Sequence, residues 1–297
     1  MKLLVVGLIP YDAGKTEFVI GMSDALKELG YKPGYFKPVA GHDGWYQYDT
    51  LLYSMDLGLL IGHDAYVVAE RLELLDKIHA VSPLDILTFP IDLYKIDLNV
   101  HLYEEYMSYI GKRAVLTRFT RIYGDSIDSY KHVYFLAKDA IDKLSDELHS
   151  VFGELVDNLK KENSVFIETS TEYVEKMLNT PVIYSVIDTY MEYLREYDPL
   201  IIEGYNDVAS PTMKSLEADY VFVVGPGKVL VYKGDRYRMA VELLSYRGYP
   251  WTIKASTVIS VAGKPIFSYD IPLKIYSEKY KSLFHNIIEV INSNLGE

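Results

Sequence analysis

Short apolar runs alternate with amphipathic stretches along the chain, and that alternation predicts its elements. Residues 3–9 are apolar throughout, the pattern of a parallel strand buried on both faces. Residues 15–29 carry apolar positions at helical spacing and stop at Gly30, a glycine helix end. Residues 34–39 predict a second strand. Residues 49–61 and 65–75 predict two helices, broken at Gly62-His63-Asp64. Residues 83–100 hold Pro83, Pro90 and little periodicity, and predict an ordered loop. Residues 114–122 predict a strand. A long helix is predicted from about 133 to 161, where Ile141, Leu144, Leu148, Val151, Leu155 and Leu159 fall three and four apart. Such a seam serves either packing within the chain or a homodimer. Further strands are predicted at 164–168, 182–186, 200–203, 220–224 and 257–261, and helices at 235–246 and 276–295.

Strands alternating with helices predict an α/β fold, a three-layer α/β/α domain on a mostly parallel sheet covered on both faces. Residues 1–84 and 164–297 would build it, with 85–163 as a helical insertion or subdomain. A length of 297 residues suits one large α/β domain or two small ones. Hydrophobic residues at 49% and charged residues at 24% easily supply a core. The net charge of −12 argues against nucleic acid as a partner, since nonspecific binding needs a basic face. A local cationic pocket stays open. The absence of cysteine excludes disulfides, thiol chemistry and Cys-ligated zinc. No apolar stretch is long enough to cross a bilayer, and the first run meets Pro10-Tyr11-Asp12 too early for a signal peptide. The expectation is a cytoplasmic protein with no membrane partner. Tyrosine, 28 of 297 residues, with no cysteine, fits a thermophilic source.

Three segments carry candidate chemistry. Gly7-Leu8-Ile9-Pro10-Tyr11-Asp12-Ala13-Gly14-Lys15-Thr16 runs from the first strand into the first helix. Strand, Gly-Lys-Thr turn and helix form the phosphate-gripping layout of a P-loop: backbone N–H groups point at the phosphates and the lysine adds a mobile charge. Asp12, Ala13, Gly14, Lys15, Thr16 and Glu17 are thus the candidate nucleotide-binding residues. Lys15 would neutralise β/γ oxygens and the Thr16 hydroxyl would hold Mg²⁺. The alternative is an ordinary strand-to-helix turn with a surface lysine. The loop is a variant, because the glycine usual five residues before Gly14 is replaced by Ile9. Asp12 would either orient metal-bound water or shape the loop.

In the second segment Lys37 precedes Pro38 at a predicted strand end, where a lysine stabilises charge developing on a transferring phosphoryl group or is a surface charge. In the third, Glu203 ends the apolar run Leu200-Ile201-Ile202 and precedes Gly204. A carboxylate there holds Mg²⁺ directly or through water, or is a capping or salt-bridged glutamate. Asp49, before a predicted helix, is a further candidate ligand or a plain N-cap. Thr16, Asp49 and Glu203 are thus the candidate metal ligands, and Lys15 and Lys37 the candidate catalytic residues.

Gly34-Tyr35-Phe36-Lys37-Pro38-Val39-Ala40-Gly41 resembles the Lys-Pro-Val segment of dethiobiotin synthetase. Ile202-Glu203-Gly204 resembles the Val-Glu-Gly segment that this family shares with its cobyric-acid-synthase relatives. Val221-Phe222-Val223-Val224-Gly225-Pro226-Gly227, followed later by Val258-Ile259-Ser260-Val261, is similar to the end of the same fold. The whole pattern looks closer still to uncharacterised archaeal P-loop ATPase/GTPase proteins. The resemblance covers residues 1–60 and 180–262. It implies ATP (or GTP) and Mg²⁺ as cofactors, Lys15 and Lys37 against the transferring phosphate, and Thr16, Asp49 and Glu203 around the metal. The synthetase phosphorylates a carbamate carboxylate before ring closure, so a small-molecule substrate is implied. The chain departs from the synthetase in its loop spacing counted from Gly7 and in His42 near a substrate-binding serine. Tyr205-Asn206-Asp207 replaces a Gly-rich stretch, and Ala262-Gly263-Lys264 lacks the adenine-reading asparagine.

Two rivals stand beside the phosphoryl-transfer enzyme: a nucleotide-dependent switch acting on a protein partner, and a degenerate P-loop protein with a structural or regulatory role. Lys37 favours the enzyme; the variant loop and the long helix favour the switch. His42, His63, His79 and His101 lack metal-ligand spacing, with His42 set apart by following the Lys37 loop. Arg118 and Arg121 are anion-binding candidates or solvated surface charges, pointing to opposite faces of one strand.

Overall fold

The computed structural model describes residues 1–273 and 277–294. The described strands, in chain order, are β1 (Lys2–Gly7), β2 (Gly34–Phe36), β3 (Val39–Asp43), β4 (Leu84–Thr88), β5 (Ala114–Ile122), β6 (Tyr130–Ala137), β7 (Ser164–Thr169), β8 (Leu200–Glu203), β9 (Tyr220–Gly225), β10 (Lys228–Lys233) and β11 (Phe267–Asp270). The fold is α/β, and the chain divides into two compact units. The first comprises Met1–Pro38, Val68–Leu74 and Tyr184–Glu297; the second comprises Val39–Val67 and Leu75–Ile183.

The first unit holds a six-stranded sheet in the order β11-β10-β9-β1-β8-β2. β2, β8, β1 and β9 run parallel, while β10 and β11 add an antiparallel edge. The sheet is therefore mixed, a parallel part with an antiparallel edge. Leu3, Leu4, Val5 and Val6 of β1 are at most 1% exposed, as expected of a central strand covered on both faces. Helix α1 (Lys15–Glu28) follows β1 and buries Phe18, Val19, Met22 and Leu26. It ends as the sequence predicts. Gly30 adopts φ 85°, its N–H donates to Lys27 O, and Tyr31 N–H donates to Leu26 O, the paired bonds of a Schellman stop. The C-terminal helix Ser277–Asn294 sets Phe284 5.3 Å from the Phe18 ring, against Gly21, where any Cβ would collide with it.

The second unit has its own five-stranded sheet, β3-β4-β5-β6-β7, with outer parallel and inner antiparallel pairings. The expected helical insertion at 85–163 is thus an α/β unit, and it is wider than those bounds. Pro83 and Pro90 bracket β4 rather than disrupt it, so the expected 83–100 loop contains a strand. The expected 133–161 helix is strand β6 followed by short and long helices, the latter Asp146–Leu159. The aromatic and β-branched run Val133-Tyr134-Phe135 favours pairing with β5. Four of the seam residues fall in that last helix, whose Leu155 and Leu159 pack, with Leu144 before it, into a core with Leu87, Leu116 and Tyr134 of the same unit. The seam is used within the chain.

Two other short β-branched runs became helices. Residues 182–186 lie in Pro181–Asp188, where Pro181 occupies the first helical turn and Ile183 and Ile187 are buried four apart. Residues 257–261 lie in Ala255–Ala262, which buries Ala255, Val258 and Ala262 on one face. The expected strand 34–39 breaks at Lys37-Pro38, and Val39 begins β3 in the other sheet. Arg118 is fully buried, donating to the carbonyls of Leu60, Ser82 and Pro83 and to Thr120 Oγ1, so it is neither an anion site nor a surface charge. Arg121 is exposed on the opposite face, over the Tyr123 ring. Among the described residues no helix is long and apolar enough to cross a membrane.

Candidate active site

The carboxyl ends of β1, β8 and β2 lie side by side in the first unit, and their following residues carry the predicted chemistry. β1 delivers the loop 8–14. Asp12 and Gly14 take the left-handed conformation, with φ 52° and 83°. Gly14 is the N-cap of α1 and offers no side-chain oxygen to the N–H groups of the first turn. Asp12, Gly14 and Glu17 are exposed, Ala13 is buried, and Thr16 is partly so. A helix start without its own cap, reached from a buried strand through the loop 8–14, suits an anionic ligand.

Lys15 is 9% exposed and folds back across the loop, its Nζ donating to Asn206 O at 2.8 Å. Gly7 makes this approach possible. A Cβ there would lie 2.7 Å from Asn206 O and 2.9 Å from Lys15 Nζ. The glycine that the motif displaced from position 9 is thus needed at position 7, where backbone and lysine crowd together.

Glu203 ends β8 with no exposed surface. Its Oε1 accepts from Lys37 Nζ at 2.6 Å and from Thr16 Oγ1 at 3.1 Å, and its Oε2 accepts from the Tyr35 hydroxyl at 2.7 Å. The register explains this convergence. Tyr35 stands opposite Ile201 and Phe36 opposite Ile202, so Tyr35, Lys37 and Glu203 project from one face of the parallel pair. Lys37 is 3% exposed, and Pro38, lacking an N–H, ends the ladder beside it. A buried ammonium so close to a buried carboxylate is a charge pair in a low-dielectric setting, and its field acts strongly on whatever enters.

The segment after Glu203 is held at both ends. Gly204 N–H donates to Val5 O, and Asp207 O accepts from Ala255 N–H. Between them Asn206 has φ 43°, and the Tyr205 hydroxyl is hydrogen-bonded to that of Tyr184. Burial raises the Tyr205 phenol well above its usual range and pushes Tyr184 up to about 12, so both stay protonated. Tyr184 in turn stacks on Trp251 at 4.0 Å.

The structure therefore unites Lys15, Thr16, Lys37 and Glu203. Asp49 belongs to the second unit, where it opens the helix Asp49–Leu57 one residue after the N-cap and pairs with His63 Nδ1 at 3.0 Å. His42, also in the second unit, is buried with Nδ1 3.0 Å from Asp85 Oδ1, and Asp85 Oδ2 accepts from Gly62 N–H. Sequence reasoning passed over Tyr35 and the Asn206 carbonyl. The i, i+2 spacing of Tyr35 and Lys37 was the available signal for the first. A backbone acceptor leaves none. Compared with protein-family models, curated proteins and solved structures, the chain matches none.

Proposed function

We propose that the chain is a Mg²⁺-dependent P-loop nucleoside triphosphatase, with ATP favoured over GTP, that transfers a phosphoryl group to a small carboxylate or amide-forming substrate. One observation carries this reading: a strand-end glutamate shares a single oxygen between the threonine of a Gly-Lys-Thr turn and a second, buried lysine. Phosphoryl transfer needs little covalent help from a protein and much charge placed in advance. Two lysines and an uncapped helix start supply the positive side. Thr16 and Glu203 supply hard oxygen donors of the kind Mg²⁺ takes.

The residues fit the absent groups. The helix start has no competing cap, and Lys15 rests on a carbonyl that a phosphate, as a charged acceptor, would outbid. Among the described residues no cluster of three His, Cys, Asp or Glu side chains could hold a metal alone. Phosphate oxygens and water would complete the coordination, which is usual for Mg²⁺. Thr16 and Glu203 would hold the ion. When bound, Mg²⁺ neutralises phosphate charge. Lys15 binds the nucleotide, and Lys37 steadies charge as it develops. A cytoplasmic setting accords with this reading.

The Lys15–Asn206 contact favours a second reading, a nucleotide-dependent switch acting on a protein partner, in which phosphate releases the segment 205–207. Calorimetry with ATP and GTP in Mg²⁺, on the wild type and Lys15→Ala, tests the site itself: equal affinities remove it. Phosphate release stimulated by a small carboxylate or amine supports the enzyme, and release stimulated only by a protein supports the switch.

A further inference from the structure

We infer that Tyr35 is a positioning residue for Glu203, fixing which carboxylate oxygen faces Thr16, Lys37 and the metal. The inference rests on the proposed nucleotide and Mg²⁺ site. Its starting point is the division of labour between the two oxygens. Oε2 accepts from the Tyr35 hydroxyl at 2.7 Å, from a ring with no exposed surface. Oε1 takes both the ammonium and the threonine hydroxyl.

The terminal torsion of a glutamate is soft and roughly two-fold, so a carboxylate without an anchor swivels freely. Two donors on Oε1 do not stop this, because both belong to groups that phosphate and metal would recruit. The phenol is carried two residue pairs further into the sheet on the same face, and it bonds Oε2 rather than the oxygen that Thr16 and Lys37 share. It holds Oε2 through any exchange of partners at Oε1. Tyr35 is itself held by its strand, paired with Ile201 and packed in the core. A phenol donating to a carboxylate is a charge-assisted bond, strong enough to act as the fixed point.

The test is calorimetry of a nonhydrolysable ATP analogue, with and without Mg²⁺, on the wild type, Tyr35→Phe and Tyr35→4-aminophenylalanine. The phenylalanine variant keeps the ring and removes the donor; the amino variant restores a donor at the same reach. Tyr35→Phe should bind the metal-free analogue within about twofold of wild type. The extra affinity that Mg²⁺ confers should fall on the order of tenfold, as expected for a lost hydrogen bond to a charged group. The amino variant should recover most of it. A merely structural tyrosine would lower both affinities together, or neither, and either result overturns the inference. So does a Tyr35→Phe chain that fails to fold. If Mg²⁺ confers no extra affinity on the wild type, the metal reading of Glu203 falls, and the role of Tyr35 falls with it. If the wild type responds to Mg²⁺ and Tyr35→Phe responds equally, only the role of Tyr35 falls.

Discussion

Replacing Glu203 by Gln keeps the shape of the side chain and removes its charge, and the surroundings set the cost. The Lys37 ammonium is 3% exposed and 2.6 Å from Glu203 Oε1, so the change takes the carboxylate from a cation that water cannot reach. Breaking a buried pair from one side costs about 3–5 kcal/mol, because the remaining charge stays desolvated. The hydrogen bonds from Thr16 and Tyr35 weaken as well, since the acceptor is now neutral. Removing both charges in Lys37→Met/Glu203→Gln leaves no stranded cation, and replacing a buried pair outright is often neutral. The double variant should therefore lie within about 1–2 kcal/mol of wild type, a coupling of at least about 4 kcal/mol when each single change strands one buried charge. Urea unfolding followed by tryptophan emission measures this in a Trp45→Phe background, which leaves Trp251 as the probe of the first unit. A Glu203→Gln cost under about 1 kcal/mol, or additive single effects, would refute the claim that this pair is buried and coupled.

Lys37→Ala should lower turnover on the order of 10²-fold while nucleotide affinity changes little, because charge on the phosphoryl group develops only in the transition state. Phosphate release and calorimetry on the folded variant decide, and unchanged turnover would favour the switch. In the second unit, burial and the nearby Arg118 charge lower His132 from 6.5 to about 2. The unfolded chain then binds the proton first. The stabilisation from a neutral His132 is full above pH 6.5 and is lost below it, by up to about 1.4 kcal/mol per pH unit. Urea midpoints between pH 7 and pH 4 should show that slope flattened in His132→Phe; equal slopes would exclude His132 as its source.

The parts of the site that lie within one local stretch were legible. A buried apolar run, a Gly-Lys-Thr turn and a glycine-stopped helix are short-range features, and β1 and α1 formed where the pattern placed them. Lys37 and Glu203 were legible as charges at strand ends, though nothing local said they would meet. That depends on β2 pairing with β8 across more than half the chain. Tyr35 reads as a core residue because its ring is one, and only the register turns its hydroxyl to Glu203. Asp49 and His63 found each other fourteen residues apart, beyond the reach of capping rules. In the second unit 114–122 formed β5 as the pattern predicts, whereas β4 and β6 were missed because they bury Asp85 and His132, which blur an apolar alternation. Residues 182–186 and 257–261 were misread because a run of four apolar or β-branched residues and one serine fits a buried strand and a buried helix face equally well.

The way the first unit is divided along the chain also orders its synthesis. Strand β1 and helix α1 leave the ribosome before the second unit, but β1 pairs with β8 and β9, whose residues follow the whole of that unit. The second unit has every strand of its own sheet before residue 184 is made. Its sheet can close while β1 still lacks both neighbours, since domains tend to fold as units during translation. Lys15, Thr16 and Lys37 then wait for Glu203, and the competence of the site becomes a late event in the life of the nascent chain. Until β8 arrives, β1 is an unpaired apolar strand, the segment of this protein most in need of shielding as it is made.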